Sequence, residues 1–208
     1  EPGQMQTRIS ASGRVSLQAL TQWLHFDQAL PASGELPYQL QLSIGARENL
    51  INVDSDLKGL SIDLPAPFGK APADSRASRF SMNLQGAQRH IDAAYTDLAR
   101  LAYVAPAEHL DQGAGELLLG AGQAQPPGGR GLRIRGHLDT LDLEPWQAQA
   151  QKLGGDDPGG NARQTLQSVD LSIGALKAYG TELNQARVRL ARGSAAWDVR
   201  LDSRQVVG

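Results

Sequence analysis

Hydrophobic and polar residues alternate along most of the chain. From Gln4 to Leu17 the odd positions read Met5, Thr7, Ile9, Ala11, Gly13, Val15 and Leu17, and every even position is polar. Successive side chains of a strand point to opposite faces, so this pattern predicts a strand with one dry and one wet face. The same period recurs at Leu36, Tyr38, Leu40, Leu42 and Ile44, at Ile51, Val53 and Leu57, and at Leu60, Ile62 and Leu64. It continues at Phe80, Met82 and Leu84, at Leu132, Ile134 and Leu138, and at Val169, Leu171 and Ile173. Val188 and Leu190, then Trp197, Val199 and Leu201, complete the set. The parity switches at Lys58-Gly59, which predicts a bulge or tight turn. Eight or more such strands, parted by Gly, Pro, Asp and Asn, predict a mainly β chain built on a curved antiparallel amphipathic sheet.

Two short helices interrupt the alternation. Ser16 is placed to cap one whose apolar positions are Leu17, Leu20, Trp23 and Leu24, with Pro31 and Gly34 beyond its end. Asp142 is placed to cap the other, with Pro145 in the first turn and Trp146, Ala150 and Leu153 on one face. Lys152 falls in its last turn and Gly154 after it. Residues 89–104 fit both periods: Ile91, Ala94, Tyr95, Leu98, Leu101 and Ala102 suit a helix, and Ile91, Ala93 and Tyr95 suit a strand. The neighbouring strands favour the second. Loops are expected at 65–78, 120–131 and 154–163.

The chain also echoes itself. Gly13 precedes Trp23 by ten residues, Gly136 precedes Trp146 by ten, and the two pairs are displaced by 123 residues. Arg79-Phe80-Ser81-Met82-Asn83-Leu84 before Gly86 resembles Arg187-Val188-Arg189-Leu190 before Gly193. A divergent repeat follows: a first strand–helix–strands unit over 1–129 and a second, incomplete one over 130–208. Trp23 and Trp146 should then sit in equivalent settings. Glu1 at the start and the truncated second unit lead us to expect an internal piece of a longer protein.

Composition narrows the chemistry. The 208 residues carry 20 Lys+Arg against 22 Asp+Glu, so no excess positive charge is present to hold a nucleic-acid backbone. There is no cysteine, which excludes disulfides, thiolate metal sites and Cys nucleophiles. The longest uncharged stretch, Leu117 to Gly129, is too short and too rich in Gly and Pro for a membrane span. His25, His90, His109 and His137 show no metal-ligand spacing, and His137 falls on the wet face opposite Leu138. Gly128-Gly129-Arg130-Gly131 lacks the residues of a phosphate loop, and Asp156-Asp157 lacks calcium-loop spacing. Asp54, Asp56 and Asp63 face water, and aromatic content of 5% provides few sugar platforms for a glycosidase. Arg133/Arg135 and Arg187/Arg189 read as wet-face residues that guard strands against wrong pairing. No catalytic residue, metal or cofactor is expected.

The aliphatic dry face is the one unusual feature. It suits the core of a β-sandwich, or an open sheet whose face holds acyl chains, and periodicity does not separate these. The stretch Val53-Asp54-Ser55-Asp56-Leu57-Lys58-Gly59-Leu60-Ser61-Ile62-Asp63-Leu64-Pro65-Ala66-Pro67-Phe68-Gly69-Lys70 resembles the YhdP proteins, AsmA-like envelope proteins of Gram-negative bacteria. Val169-Asp170-Leu171-Ser172-Ile173-Gly174-Ala175-Leu176-Lys177-Ala178-Tyr179-Gly180 is similar to that family too, as is the Gly-to-Trp unit at both places. The similarity runs from about Ile9 to Leu201. It implies a periplasmic section of a long open β-groove, in a protein anchored to the inner membrane by a helix outside this stretch. Such a groove conducts phospholipid towards the outer membrane. The partners implied are acyl chains and neighbouring segments of the same chain. The candidate lining is Leu40, Leu42, Ile44, Val53, Leu57, Leu60, Ile62, Leu64, Phe80, Met82, Leu84, Leu132, Ile134, Leu138, Val169, Leu171, Ile173, Val188, Leu190, Trp197, Val199 and Leu201. The alternative is a periplasmic scaffold or protein-binding module in which the same face is a sealed core.

Overall fold

A computed structural model describes residues 6–23, 30–46, 49–154, 165–193 and 196–204. Met5, Leu24, His25, the Asp156-Asp157 pair and most of the 154–163 loop lie outside the described residues. The order is β1 (Thr7–Ser16), α1 (Leu17–Trp23), β2 (Ala32–Ile44), β3 (Asn49–Ser55), β4 (Leu60–Ile62), β5 (Ser78–Asn83), β6 (Gln88–Tyr95) and β7 (Ala99–Pro106). A 3-10 turn (Leu110–Gln112) leads to β8 (Ala114–Leu119), β9 (Gly131–Asp142), α2 (Leu143–Gly154), β10 (Leu166–Ala178), β11 (Thr181–Arg192) and β12 (Trp197–Asp202). The period-two runs are therefore strands, and so is the ambiguous 89–104, which forms β6 and β7.

All twelve strands belong to one open sheet, with β1 and β12 at opposite edges and β4 attached to β2 beside the main path. Among the described residues the protein is mainly β with two α-helices, consistent with a curved sheet groove. The parity switch is a turn at Lys58-Gly59, flanked by Leu57 at φ +54° and Gly59 at φ +104°. Both helix caps form: the amide of Ala19 donates to Ser16 Oγ at 3.1 Å, and that of Glu144 to Asp142 Oδ1 at 3.3 Å. Each satisfies an amide that the helix itself cannot.

The expected antiparallel order holds except at β8–β9 and β9–β10, which are parallel. A parallel neighbour needs a crossover instead of a tight turn. The 120–130 loop and α2 supply the two crossovers. Strand β8 carries no alternation signal, because Ala-Gly-Glu-Leu-Leu-Leu is covered on both faces. Strands enclosed on both sides read as continuous apolar runs.

The two Gly-to-Trp units differ in detail. Trp23 ends α1 and is 75% exposed, whereas Trp146 lies in the first turn of α2 and packs against Phe68. The return strand is antiparallel after α1 and parallel after α2. The expected equivalence of the tryptophans is thus corrected. Strand β9 continues six residues past Gly136, but β1 continues only three past Gly13, so the same spacing meets the helix at different turns.

A buried apolar cluster joins Ile173, Leu176 and Ala186, with Leu141, Leu143, Leu171, Leu183, Val188 and Leu201 packed against them. Here the dry face changes parity on three neighbouring strands together. Leu138, Ile173 and Ala186 are cross-strand partners, and so are Leu141, Leu176 and Leu183, three residues along each strand. Gln185 at φ +54° marks the irregularity in β11.

Gly136 in β9 has φ +138°, and an added Cβ would lie 2.0 Å from the carbonyl oxygen of Leu119. Gly136→Ala is expected to lose about 2 kcal/mol or more in urea unfolding, because strain and a backbone clash coincide. Gly128→Ala, with nothing within 4 Å, should stay within about 0.5 kcal/mol of the parent.

Candidate functional site

Strand register assembles the scattered apolar positions into rows. One row runs across all eleven strands of the main path: Ala11, Leu40, Val53, Phe80, Ala93, Leu101, Leu117, Ile134, Val169, Leu190 and Val199. At about 4.8 Å per strand it is about 48 Å long. A second row on the same face carries Ile9, Leu42, Ile51, Met82, Ile91, Tyr103, Gly115 and Leu132. A third carries Ser55, Ser78, Tyr95, Ala99, Leu119, Gly136, Leu171, Val188 and Leu201. The opposite face reads Ser10, Gln41, Asn52, Ser81, Asp92, Ala102, Glu116, Arg133, Ser168, Ala191 and Asp198.

The dry face is covered unevenly. Leu138, Val169 and Ile173 are buried. Leu40, Leu42, Val53, Phe80, Met82, Leu132, Ile134, Leu171, Val188, Leu190, Trp197 and Leu201 are half-buried, and Ile44, Leu84 and Val199 are exposed. Leu57, Leu60, Ile62 and Leu64 stand apart from these rows, on β4 and its flanks. Leu57 and Leu60 are buried beside Lys70. Ile9, Ile51, Ile91, Leu101 and Leu117 join the face although sequence reasoning left them out of its lining. Ile9, Ile51 and Ile91 carried the alternation signal; Leu117 lay in the non-alternating β8.

Two elements reach over one end of this face. The 63–76 segment docks on Tyr95, whose hydroxyl donates to the Phe68 carbonyl at 2.9 Å. Arg76 donates to the Pro67 carbonyl at 2.7 Å and to the Tyr95 hydroxyl at 3.0 Å. Lys70 anchors the segment by donating from Nζ to the carbonyls of Leu57, Leu60 and Ala71. Burial lowers its pKa from the usual lysine value, against the opposing charge of Asp74. From the other side, Leu143 of α2 packs on the Ile173 cluster. Trp146 meets Phe68 edge to face at 5.8 Å, and buried Gln149 donates to the Asp63 carbonyl at 2.7 Å. The Trp146 indole nitrogen is buried without a hydrogen-bond partner. The hydrogen bond and the ring pair together contribute about 1–3 kcal/mol. The unmet donor costs about 1–3 kcal/mol, so the seam is close to balance.

The polar face is held by ion pairs. Arg187 grips Asp170 with two hydrogen bonds, at 2.9 and 2.8 Å, and Arg189 pairs with Asp202. Arg79 pairs with Asp54 at 2.7 Å. Arg135 binds Glu116 at 2.8 Å and the Gln123 carbonyl at 2.9 Å, while the Gln125 amide donates to Glu116 at 3.0 Å. The 120–130 crossover thus seals Glu116 and Leu118 against β8. Burial pushes the Glu116 pKa up, but the Arg135 hydrogen bond, the Gln125 amide and the arginine charges outweigh it and leave it lowered. Arg135, Arg187 and Arg189 therefore do more than keep the surface wet.

A cleft of 790 Å³ is lined by Asp54, Arg79, Asp92 and Arg100 together with Ala94 and Leu101, and so carries charges of both signs beside apolar side chains. His137 lies 3.1 Å from Ser172 Oγ and 3.3 Å from Asp139, an order that resembles a nucleophile, base and carboxylate. Ser172 also donates to the Gly136 carbonyl at 3.2 Å, and the Asp139 side chain is fully exposed. Water at Asp139 leaves that order without the enclosure that activates a serine. Among the described residues no group of three or more His, Asp or Glu could hold a metal ion, and no helix is long and apolar enough to cross a membrane.

Removing Arg135 should strand a buried carboxylate. Arg135→Ala is expected to cost about 1–3 kcal/mol in urea unfolding. Arg187→Gln, which breaks a half-exposed pair, should lower the urea midpoint less than Arg135→Ala does. The Asp170 pKa is lowered, first by the Arg187 hydrogen bond and against a burial effect that raises it. Folded-state pKa values below the unfolded ones for Glu116 and Asp170 stabilise the fold above the ordinary carboxylate range. That stability is lost as pH falls through the folded values, so the urea midpoint should drop below about pH 4. Glu116→Gln should flatten that drop.

A family model described as YhdP protein matches residues 1–208. A search of curated proteins and a search of solved structures each gave no match. The match covers the whole sequence, including both stretches whose resemblance the residues already carried, and the chain belongs to the YhdP family.

Proposed function

We propose that this chain is a section of a hydrophobic groove that spans the periplasm and carries phospholipid between the inner and outer membranes. The observation that supports this most is the apolar row from Ala11 to Val199, unbroken across eleven strands and backed by a mostly polar row. Acyl chains are apolar and make no directional demand, so a continuous aliphatic face lets them slide without a deep minimum. Among the described residues no second sheet packs on this face, and most of its side chains are half-buried and keep access to a ligand. The role is non-catalytic and needs no cofactor. Neighbouring segments of the same long chain would continue the groove at the β1 and β12 edges, where no further strand pairs among the described residues. The membrane anchor lies elsewhere in that protein.

The pleat supplies the test. A photo-crosslinking residue is placed at Leu42 and Met82 on the dry face, and at Gln41 and Ser81 on the polar face, in the intact protein in cells. Phospholipid adducts are expected at 42 and 82 and not at 41 and 81. Protein adducts at 42 and 82 would replace the conduit with a scaffold, and equal lipid labelling of both faces would refute the groove. Ile173, although on the same face, is only 1% exposed and is unsuitable as a probe site. Enlarging such a packed residue costs about 1–3 kcal/mol.

A further inference from the structure

The two elements over the dry face come from distant parts of the sheet. Segment 63–76 lies between β4 and β5, and α2 lies between β9 and β10. Strands β6, β7 and β8 separate β5 from β9, a span of about 19 Å at normal strand spacing. The elements meet above that span through Phe68–Trp146 and Gln149–Asp63. Tyr95 places one on the dry side, and Leu143 places the other there. Under the arch runs the third row, with Tyr95, Ala99, Leu119 and Gly136.

We propose that this arch is a gate across the groove, closed in this structure, that opens at the seam between Trp146 and Phe68 to pass lipid. The proposal rests on the conduit reading and adds a control point to it. Each half is firmly held away from the seam. Lys70 ties the 57–71 backbone together through three carbonyls, and Leu143 roots α2 in the Ile173 cluster. Among the described residues, the ring and hydrogen-bond contacts of the seam are one ring pair and one hydrogen bond to a main-chain carbonyl. It also encloses an indole N–H without a partner, which water would satisfy on opening. A weak joint between two rigid halves is where such an arch parts. Once parted, Trp146 and Phe68 offer apolar sides to a passing chain.

These 208 residues contain no cysteine, so once any cysteine elsewhere in the intact protein is replaced by serine, an introduced pair is the only thiol pair. Phe68→Cys and Trp146→Cys are combined in the intact protein and linked across the seam with a cleavable thiol crosslinker. Photo-crosslinking residues then report lipid at Met82, outside the arch, and at Ala99, beneath its centre. Locking should cut phospholipid adducts at 99 about tenfold or more, spare those at 82, and be reversed by cleaving the linker. Undiminished labelling at 99 in the locked protein would make the arch a fixed roof and overturn the gate, while labelling at 82 kept the conduit intact. Absence of lipid at both positions in the unlocked protein would defeat the conduit and the gate with it. If the double variant does not fold, Gln149→Ala loosens the seam instead. It should raise labelling at 99, and unchanged labelling would also overturn the gate.

Discussion

Everything here depends on the strict two-residue alternation of the strand pleat. A strand has no choice about which side chains share a face, and antiparallel or parallel pairing carries that choice across to its neighbour. Eleven strands in one register turn short local patterns into a face about 48 Å across. The result is one open sheet with an apolar side and a polar side. A sheet of this kind normally buries its apolar side against a second layer. Among the described residues, α2 and the 63–76 segment cover one end, and most of the remaining apolar side chains are half-buried. An open apolar face of this extent is what a ligand surface requires and what a sealed core avoids.

The places where the sheet departs from a simple meander are the places where it gains covers. A hairpin turn returns the chain at the sheet edge and covers nothing. The two parallel pairings around β9 need crossovers, and each crossover lies on a different side. The 120–130 loop encloses Glu116 and Leu118 on the polar face, and Arg135 compensates the buried carboxylate. Helix α2 crosses the dry face and carries Trp146 and Gln149 to the 63–76 segment. The same topological change therefore rigidifies one side and bridges the other. Lys70 completes the bridge, since a buried ammonium is tolerable only when its donors are met, and three carbonyls meet them.

Much of this was legible in the residues. Alternation located most strands, Ser16 and Asp142 announced their helices, and Leu57-Lys58-Gly59 announced its turn. The family was legible in Leu64-Pro65-Ala66-Pro67 with Gly69-Lys70 and is shown by the match over the full chain. Most of the candidate lining also falls on one face, because parity is a local property. Leu57, Leu60, Ile62 and Leu64 share that alternation but stand off the main sheet, since the Lys58-Gly59 turn takes the chain out of it. Strand β8 escaped notice for the opposite reason: both of its faces are covered, so its sequence has no period.

Local pattern sets which side chains are dry and which are wet, since that follows from a two-residue repeat in any strand. It also sets the helix starts and the turns, which are set by one or two residues acting on their own backbone. Long-range contacts choose which strands neighbour which, make β8, β9 and β10 run parallel, and leave most of the dry face without a second layer among the described residues. Those outcomes depend on contacts between residues far apart in the chain, such as Gln149 with Asp63 and Arg135 with Glu116. Neither partner of such a pair carries any local mark of the other.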